Sequence, residues 1–394
     1  MDKRAVKAAG FIDLEGEQVD LHQGELLLLN GDRIEQFIVE NELPDEVEVE
    51  EYPEQYCLPG MVDAAFLPGL MLSEAGTTPE DYGEMVWQAR KTVRSWRKTG
   101  VTAAGTLGAA DRLDLDLHQY IERGRLKGPR LVAALSPLVP LGTDQFPYPY
   151  GVKEVSGPED ARRAVRRLIK DGAERITVYA DVPLRFSQDP KETARERFVF
   201  SVEELSEMVK QAEQAGCFVH AQAVSTQAVE NCARAGVRSI GCAFGLVESQ
   251  LDLLRENQVA LVPNLALGDT VKNHGQKFGM EQSVIDFVSQ QRISPDLLVQ
   301  AYQEGVEIVC GTNAALPQGD LIRECELLFQ AGLPEEAVLR AATRAAAKTL
   351  KPYCEWGSFA RDHYADFIFL NGNPLVSLDH LKFPAEVQIS RPQD

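Results

Sequence analysis

Scarcity of a few residue types and patterns bounds what this 394-residue chain can do. Histidine is rare, six in all, so an imidazole-rich metal or acid–base site has little to draw on. Basic charge is short as well: 40 Lys and Arg face 60 Asp and Glu, a net charge of -20 that repels phosphate backbones and anionic lipid surfaces. No nucleic-acid partner and no membrane partner is expected. No run approaches the roughly 20 uninterrupted apolar residues of a spanning helix. Met1 to Glu15 show neither the apolar core nor the small-residue cleavage site of a secretion signal. Paired C-x-x-C spacing is also missing. The seven cysteines (Cys57, Cys217, Cys232, Cys242, Cys310, Cys325, Cys354) are scattered and odd in number, which reads as reduced thiols rather than a disulfide frame or a structural zinc site. A cytoplasmic location is the expectation.

The remaining composition, 44% hydrophobic and 25% charged, is that of an ordinary globular protein. The length suits one large α/β barrel with a minor appended domain. Near the amino terminus, Glu25–Asn30 and Arg33–Ile38 flank the turn pair Gly31-Asp32, and Glu46–Glu50 alternates with period two, as a strand with one face in water does. Ala365–Leu370 followed by Asn371-Gly372-Asn373-Pro374 is again strand then turn. Residues 1–56 and 355–394 are therefore expected to combine in one small β domain, with 57–354 as the barrel.

Between the ends, short apolar strands are separated by longer helical stretches, the pattern of βα units around a buried parallel sheet. Eight strand candidates are visible: Cys57–Asp63, Thr102–Leu107, Arg130–Ser136, Arg175–Tyr179, Phe218–Gln222, Ser239–Cys242, Ala260–Asn264 and Glu307–Gly311. Eight strands close a (β/α)8 TIM barrel. Ser201 with Glu204 has capping-box spacing, and Ala215-Gly216 marks the far end of that helix. The arginines of Ala161–Lys170 fall on the outer face of an amphipathic helix, a solvated surface rather than an anion site.

Catalytic groups in such barrels project from the carboxyl ends of the strands. In order those ends carry Asp63-Ala64-Ala65-Phe66-Leu67, Thr177, His220, Cys242 and Asn313. Leu58-Pro59-Gly60-Met61-Val62-Asp63 resembles the first barrel strand of the amidohydrolase superfamily, in its imidazolonepropionase-like and prolidase-like branch. Gly100-Val101-Thr102, Gly128-Pro129-Arg130-Leu131, Phe218-Val219-His220-Ala221, Gly311-Thr312-Asn313-Ala314, Ala342–Ala347 and Gly372-Asn373-Pro374-Leu375 follow in the same order and spacing. The resemblance implies a distorted barrel plus a small β-sandwich built from both termini.

It also implies which positions hold metal in that family, and this chain departs from it there. Ala65 and Leu67 stand where two histidines are expected, and Thr177 replaces the carboxylated lysine. His220 is kept, Cys242 replaces the histidine of the sixth strand, and Asn313 stands where an acid serves as ligand and general base. Asp63 belongs to the supporting shell. A hydrolytic zinc centre needs about three protein donors plus a bound water brought to a pKa near 7. The side chains of Ala65 and Leu67 have no lone pair, and an amide such as Asn313 accepts no proton near neutral pH. No metal and no cofactor are expected. His22, His118, His274, His363 and His380 lie in or beside the terminal domain, on an early helix, or in a polar stretch after the seventh strand, where His274 could reach the mouth but reads more simply as a surface histidine.

His220 and Cys242 end adjacent strands, so a metal-free nucleophilic pair is one reading. A small buried thiol, with His220 bonded to a neighbouring oxygen, is the other. For Asp63 the expectation is bonding to loop backbone or to Asn313. The expected function is a degenerate amidohydrolase-like protein without metal-dependent hydrolysis that binds a small molecule or a partner subunit at the barrel mouth, as a homo-oligomer by family expectation. The alternative is a hydrolase of amide or cyclic carbon–nitrogen bonds acting through Cys242 and His220 or a residual metal, so whether the chain is an enzyme stays open at this point. A mouth plugged by Phe66, Leu67 and Leu107 favours scaffolding; a polar one around Thr177, His220 and Asn313 favours a ligand.

Overall fold

The computed structural model describes residues 3–16, 18–68, 82–142, 151–183, 197–278, 282–290, 292–313 and 321–390. Ala314 of the Gly311–Ala314 motif lies outside them. Both chain ends feed one seven-stranded mixed sheet. Its order is Glu386–Gln388, Phe367–Leu370, Glu48–Pro59, Lys3–Asp13, Glu25–Asn30 and Arg33–Val39, with Asp20–His22 also paired to Lys3–Asp13. Asn30 pairs with Arg33, so Gly31-Asp32 is a two-residue hairpin loop, and Gly31 takes the φ of +62° that such a turn needs. Alternation sends Val47 to one face, with Ala5, Leu26, Leu28 and Ile38. Phe11, Leu27, Leu29, Phe367 and Phe369 pack on the other.

The expected first barrel strand is divided at Gly60. Cys57 to Pro59 end the long strand of the terminal sheet, and Met61–Phe66 begins the barrel. A Cβ on Gly60 would lie 2.1 Å from Thr102 Oγ1, so this crossing tolerates only glycine. Met61–Phe66, Val101–Thr106 and Arg130–Val132 pair in parallel, as do Ile176–Tyr179, Val219–Ala223, Ser239–Cys242 and Ala260–Val262. Backbone bonds join the two groups: Glu174 N donates to Ala133 O at 2.8 Å on one side, and on the other Leu261 bridges Ile308 while Ala64 N donates to Cys310 O at 3.0 Å. Eight parallel segments thus make a distorted (β/α)8 ring. The eighth, expected over Glu307–Gly311, is reduced to that single bridge because Cys310 N is drawn away to Ala341 O.

Alternation along the strands separates two cores. Ala104, Leu131, Ile176, Val219, Ile240 and Leu261 lie under the helices. Val62, Ala65, Leu67, Ala103, Leu107, Val132 and Val262 form an inner cluster with Ala346 and Leu350 of the helix Arg344–Leu350. The Val202–Gln214 helix starts with the expected capping box of Ser201 and Glu204. Arg162 and Arg166 of the Pro158–Asp171 helix reach outward to Glu207 and Gln211 of that neighbour, at 2.7 and 2.6 Å.

Candidate functional site

Strands four to six turn a polar strip toward the barrel interior. Val219, Ala221 and Ala223 face the helices, so period two puts His220 and Gln222 inside. His220 is 1% exposed. Its Nδ1 lies 2.8 Å from Ser239 Oγ, and its Nε2 lies 2.9 Å from Gln222 Nε2. An amide nitrogen only donates, so the network assigns the lone pair to Nε2 and the proton to Nδ1. The other end of Gln222 accepts from Cys242 Sγ at 2.9 Å, and Asn313 Nδ2 donates to the same sulfur at 3.5 Å. Gly241 makes room for this, since a Cβ there would lie 2.3 Å from Gln222 Nε2. The result is a chain: Ser239, His220, Gln222, Cys242, Asn313.

Imidazole and thiol are therefore linked through the Gln222 amide and not to each other. Burial holds His220 well below the usual imidazole range, and the positive charge of Arg175 lowers it further. Burial pushes the Cys242 thiol up to about 12, with Asp181 and Glu324 adding to it and the Asn313 bond opposing it. A neutral thiol beside a neutral imidazole is the reverse of the ion pair that a reactive cysteine needs. Alkylation of Cys242 by iodoacetamide at neutral pH is accordingly expected to run at least about tenfold slower in the folded chain than in urea, read by peptide mass spectrometry. Equal rates would show a thiol that is open and activated.

Cys242 and Asn313 sit at strand ends with positive φ, +64° and +42°. Cys242 N donates to Asn264 Oδ1 at 2.9 Å, and Asn264 Nδ2 donates to Gly311 O at 2.7 Å, so Asn264 ties the ends of strands six and eight together. Asp63 accepts from Ala65 N at 2.8 Å, Thr312 N at 3.1 Å and Thr312 Oγ1 at 2.7 Å. Loop backbone is thus its partner, as one of the two expectations had it, while Asn313 N donates to Ala65 O. Burial raises the Asp63 carboxyl to about 6 against those bonds and the Arg175 charge. Thr177 is fully buried and its hydroxyl donates to Thr106 O at 3.4 Å.

The positions Ala65, Leu67, Thr177, His220, Cys242 and Asn313 are all buried. They divide by chemistry: Ala65 and Leu67 join the inner apolar cluster with Leu107, whereas His220, Cys242 and Asn313 share the polar chain. Phe66 turns the other way and packs on Trp96, ring centroids 4.1 Å apart, so it does not plug the interior. His274 is the last residue of the Leu265–His274 helix rather than part of a loop. His118 is held by Leu131 O at 2.6 Å. A cavity of about 650 Å³ near Asp269, Lys272 and Ile293 shares none of the former ligand positions.

Gln222, Arg175, Asn264 and Glu324 were not singled out from sequence. Period two carried a signal for two of them, since Gln222 shares the face of His220 and Arg175 that of Thr177. Glu324 lies three residues after Leu321 and four before Leu328, on the apolar face of its helix, where a carboxylate needs a partner. It finds two, Leu265 N at 3.0 Å and Ala266 N at 2.6 Å.

Comparison with known proteins accords with this architecture. The profile of the amidohydrolase family matches residues 58–389. The chain belongs to the amidohydrolase family. Among solved structures it is similar to a Xaa-Pro dipeptidase with bound methionine in the active site (23% identity, 98% of each chain covered, TM-score 0.85). It is also similar to a putative prolidase from Bifidobacterium longum (25% identity, 100% of this chain and 96% of that one, TM-score 0.79) and to A. niger ochratoxinase (19%, 99% and 95%, TM-score 0.78). No curated protein sequence matches at a significant level. These likenesses extend over the whole chain and place an amidohydrolase barrel with its small β domain around the strip described above.

The metal implied by this family can be tested against the side chains present. Among the described residues no group of three or more His, Cys, Asp or Glu converges on one point. The one imidazole at a former ligand position already uses both ring nitrogens, on Ser239 and Gln222. The thiol is neutral, and the guanidinium of Arg175 places a positive charge close enough to depress His220. The described residues at these positions do not fit a bound divalent cation.

Proposed function

We propose that this amidohydrolase-family protein does not carry out metal-dependent hydrolysis and instead binds a small molecule within the barrel. One observation carries the reading: His220 spends Nδ1 on Ser239 and Nε2 on Gln222, so the retained ligand residue is built into a neutral hydrogen-bonded chain. A coordinating histidine keeps one nitrogen for the metal and fixes the other with a partner. Of the residues expected to plug the interior, Phe66 turns away from it, and a polar side made of Thr177, His220, Gln222 and Asn313 remains beside Leu67 and Leu107, as suits a ligand with one apolar and one polar side. The names of the similar structures, a dipeptidase, a prolidase and an ochratoxinase, describe hydrolases whose barrels this chain shares at 19 to 25% identity.

The alternative, metal-free hydrolysis by Cys242 and His220, is not favoured by the geometry. Gln222 separates the two groups, and a thiol near 12 supplies almost no thiolate at neutral pH.

Elemental analysis tests the proposal. Protein purified without chelator, then incubated with excess Zn²⁺ or Mn²⁺ and desalted, is expected to retain far less than one metal per chain. One tightly held ion per chain, accompanied by hydrolysis of an aminoacyl-proline or N-acyl amino acid, would contradict it.

A further inference from the structure

Arg175 is 1% exposed, and burial brings its guanidinium down to about 10 against the opposing charge of Asp63. Its Nη1 donates to Ala64 O at 2.8 Å and lies so close to Gly105 that a Cβ there would come within 2.0 Å. Glycine at 105 is what lets the head group lie in the interior. Nε and Nη2 are buried and have no hydrogen-bond partner among the described residues. These two nitrogens form the side-on edge of the guanidinium, two parallel N–H donors matched to the two oxygens of a planar oxyanion. Asp63, the acid whose charge is felt there, has its oxygens taken by Ala65 and Thr312. A neutral partner such as water would bring no charge to offset that of a buried cation.

We propose that the barrel interior binds a planar oxyanion, the carboxylate of a small organic acid or bicarbonate, bidentately on the Nε and Nη2 edge of Arg175. This inference rests on the reading of the barrel as a ligand site and names the chemical group that the ligand presents. In an organic acid, the remainder of the molecule meets the inner apolar cluster, whose Leu350 lies beside Gly105 together with the Arg175 head group. Thr177, two residues further on and on the same face, is short and has its hydroxyl turned to Thr106 O.

The test uses the full chain and calorimetric titration with sodium acetate, sodium benzoate and sodium bicarbonate at ionic strength held constant with sodium chloride. Saturable one-to-one binding by at least one of them is expected. Binding should weaken at least about tenfold in Arg175→Lys, which keeps the charge but loses the two-donor edge. It should vanish in Arg175→Met. Bicarbonate alone would identify the inorganic source; acetate or benzoate would identify a ligand-borne carboxylate. If Arg175→Met fails to fold, Arg175→Lys and ¹³C line broadening of labelled acetate on the unaltered chain carry the test. No saturable binding by a folded chain, or equal binding by Arg175→Lys, overturns the proposal. A chain that binds carboxylate yet holds one metal would sink the functional reading alone, and a metal-free chain that binds none would sink this one alone.

Discussion

Asp366→Ala is expected to lower the unfolding free energy by about 3–5 kcal/mol, the usual cost of stripping a buried ion pair of one partner. Arg130, at the start of the third barrel strand, is 7% exposed and Asp366, ahead of the Phe367–Leu370 strand, is 2% exposed. Arg130 Nε donates to Asp366 Oδ2 at 2.8 Å, and Nη2 donates to Ser390 O. Ser390 N and Oγ both donate to Asp366 Oδ1, at 2.7 and 2.8 Å. The carboxylate thereby ties the barrel to the segment just beyond the Glu386–Gln388 strand of the terminal sheet. Stacking of Arg130 on the Tyr364 ring, 3.7 Å to its centroid, keeps the guanidinium in place when its counter-ion is removed, so the charge stays buried. Urea unfolding measures the loss. Asp366→Asn, which keeps an acceptor for Ser390 while removing the charge, should fall between the two. A loss under about 1 kcal/mol for Asp366→Ala would mean that the guanidinium escapes to water.

The barrel and the terminal sheet were legible because both rest on periodicity and turn chemistry. Strands such as Val219–Ala223 and Ser239–Cys242 announce themselves by β-branched and apolar residues between helices with clear ends. Glu307–Gly311 reads the same way and is not a strand, because the partner of Cys310 N is Ala341, which sequence cannot reveal. At the site, the identity of each substituted residue was readable and its consequence was not. Cys242 and His220 are near neighbours in any such barrel. Whether they touch depends on a third side chain, Gln222, and on the space that Gly241 leaves for it. Arg175 reads as one more basic residue in Glu174-Arg175-Ile176, and only the close approach to Gly105 places its charge in the interior.

The buried carboxyl groups lead to the second large effect, a decline of stability between about pH 6.5 and 8. Burial raises Glu324 from the usual 4.5 to about 8, against the bonds from Leu265 N and Ala266 N. Unfolding releases the proton that the folded state keeps, so this contribution is complete below 4.5 and is lost as pH rises to about 8. Asp63, raised from 3.8 to about 6, acts in the same direction but is spent by pH 6. His220, held well below 6.5, acts oppositely: its contribution is present above 6.5 and fades as pH falls. Of these three groups, Glu324 alone titrates between 6.5 and 8. At 1.36 kcal/mol per unit, the chain should lose about 2 kcal/mol across that window. Glu324→Gln should flatten the profile, at a fixed cost of about 1–3 kcal/mol because its amide nitrogen cannot accept from one of the two backbone donors. Urea unfolding at half-unit steps of pH distinguishes two physical outcomes. A falling curve that Glu324→Gln levels means that burial governs the proton. A flat curve in the unaltered chain means that the amino end of the Leu265–His274 helix holds the carboxylate ionised across this range.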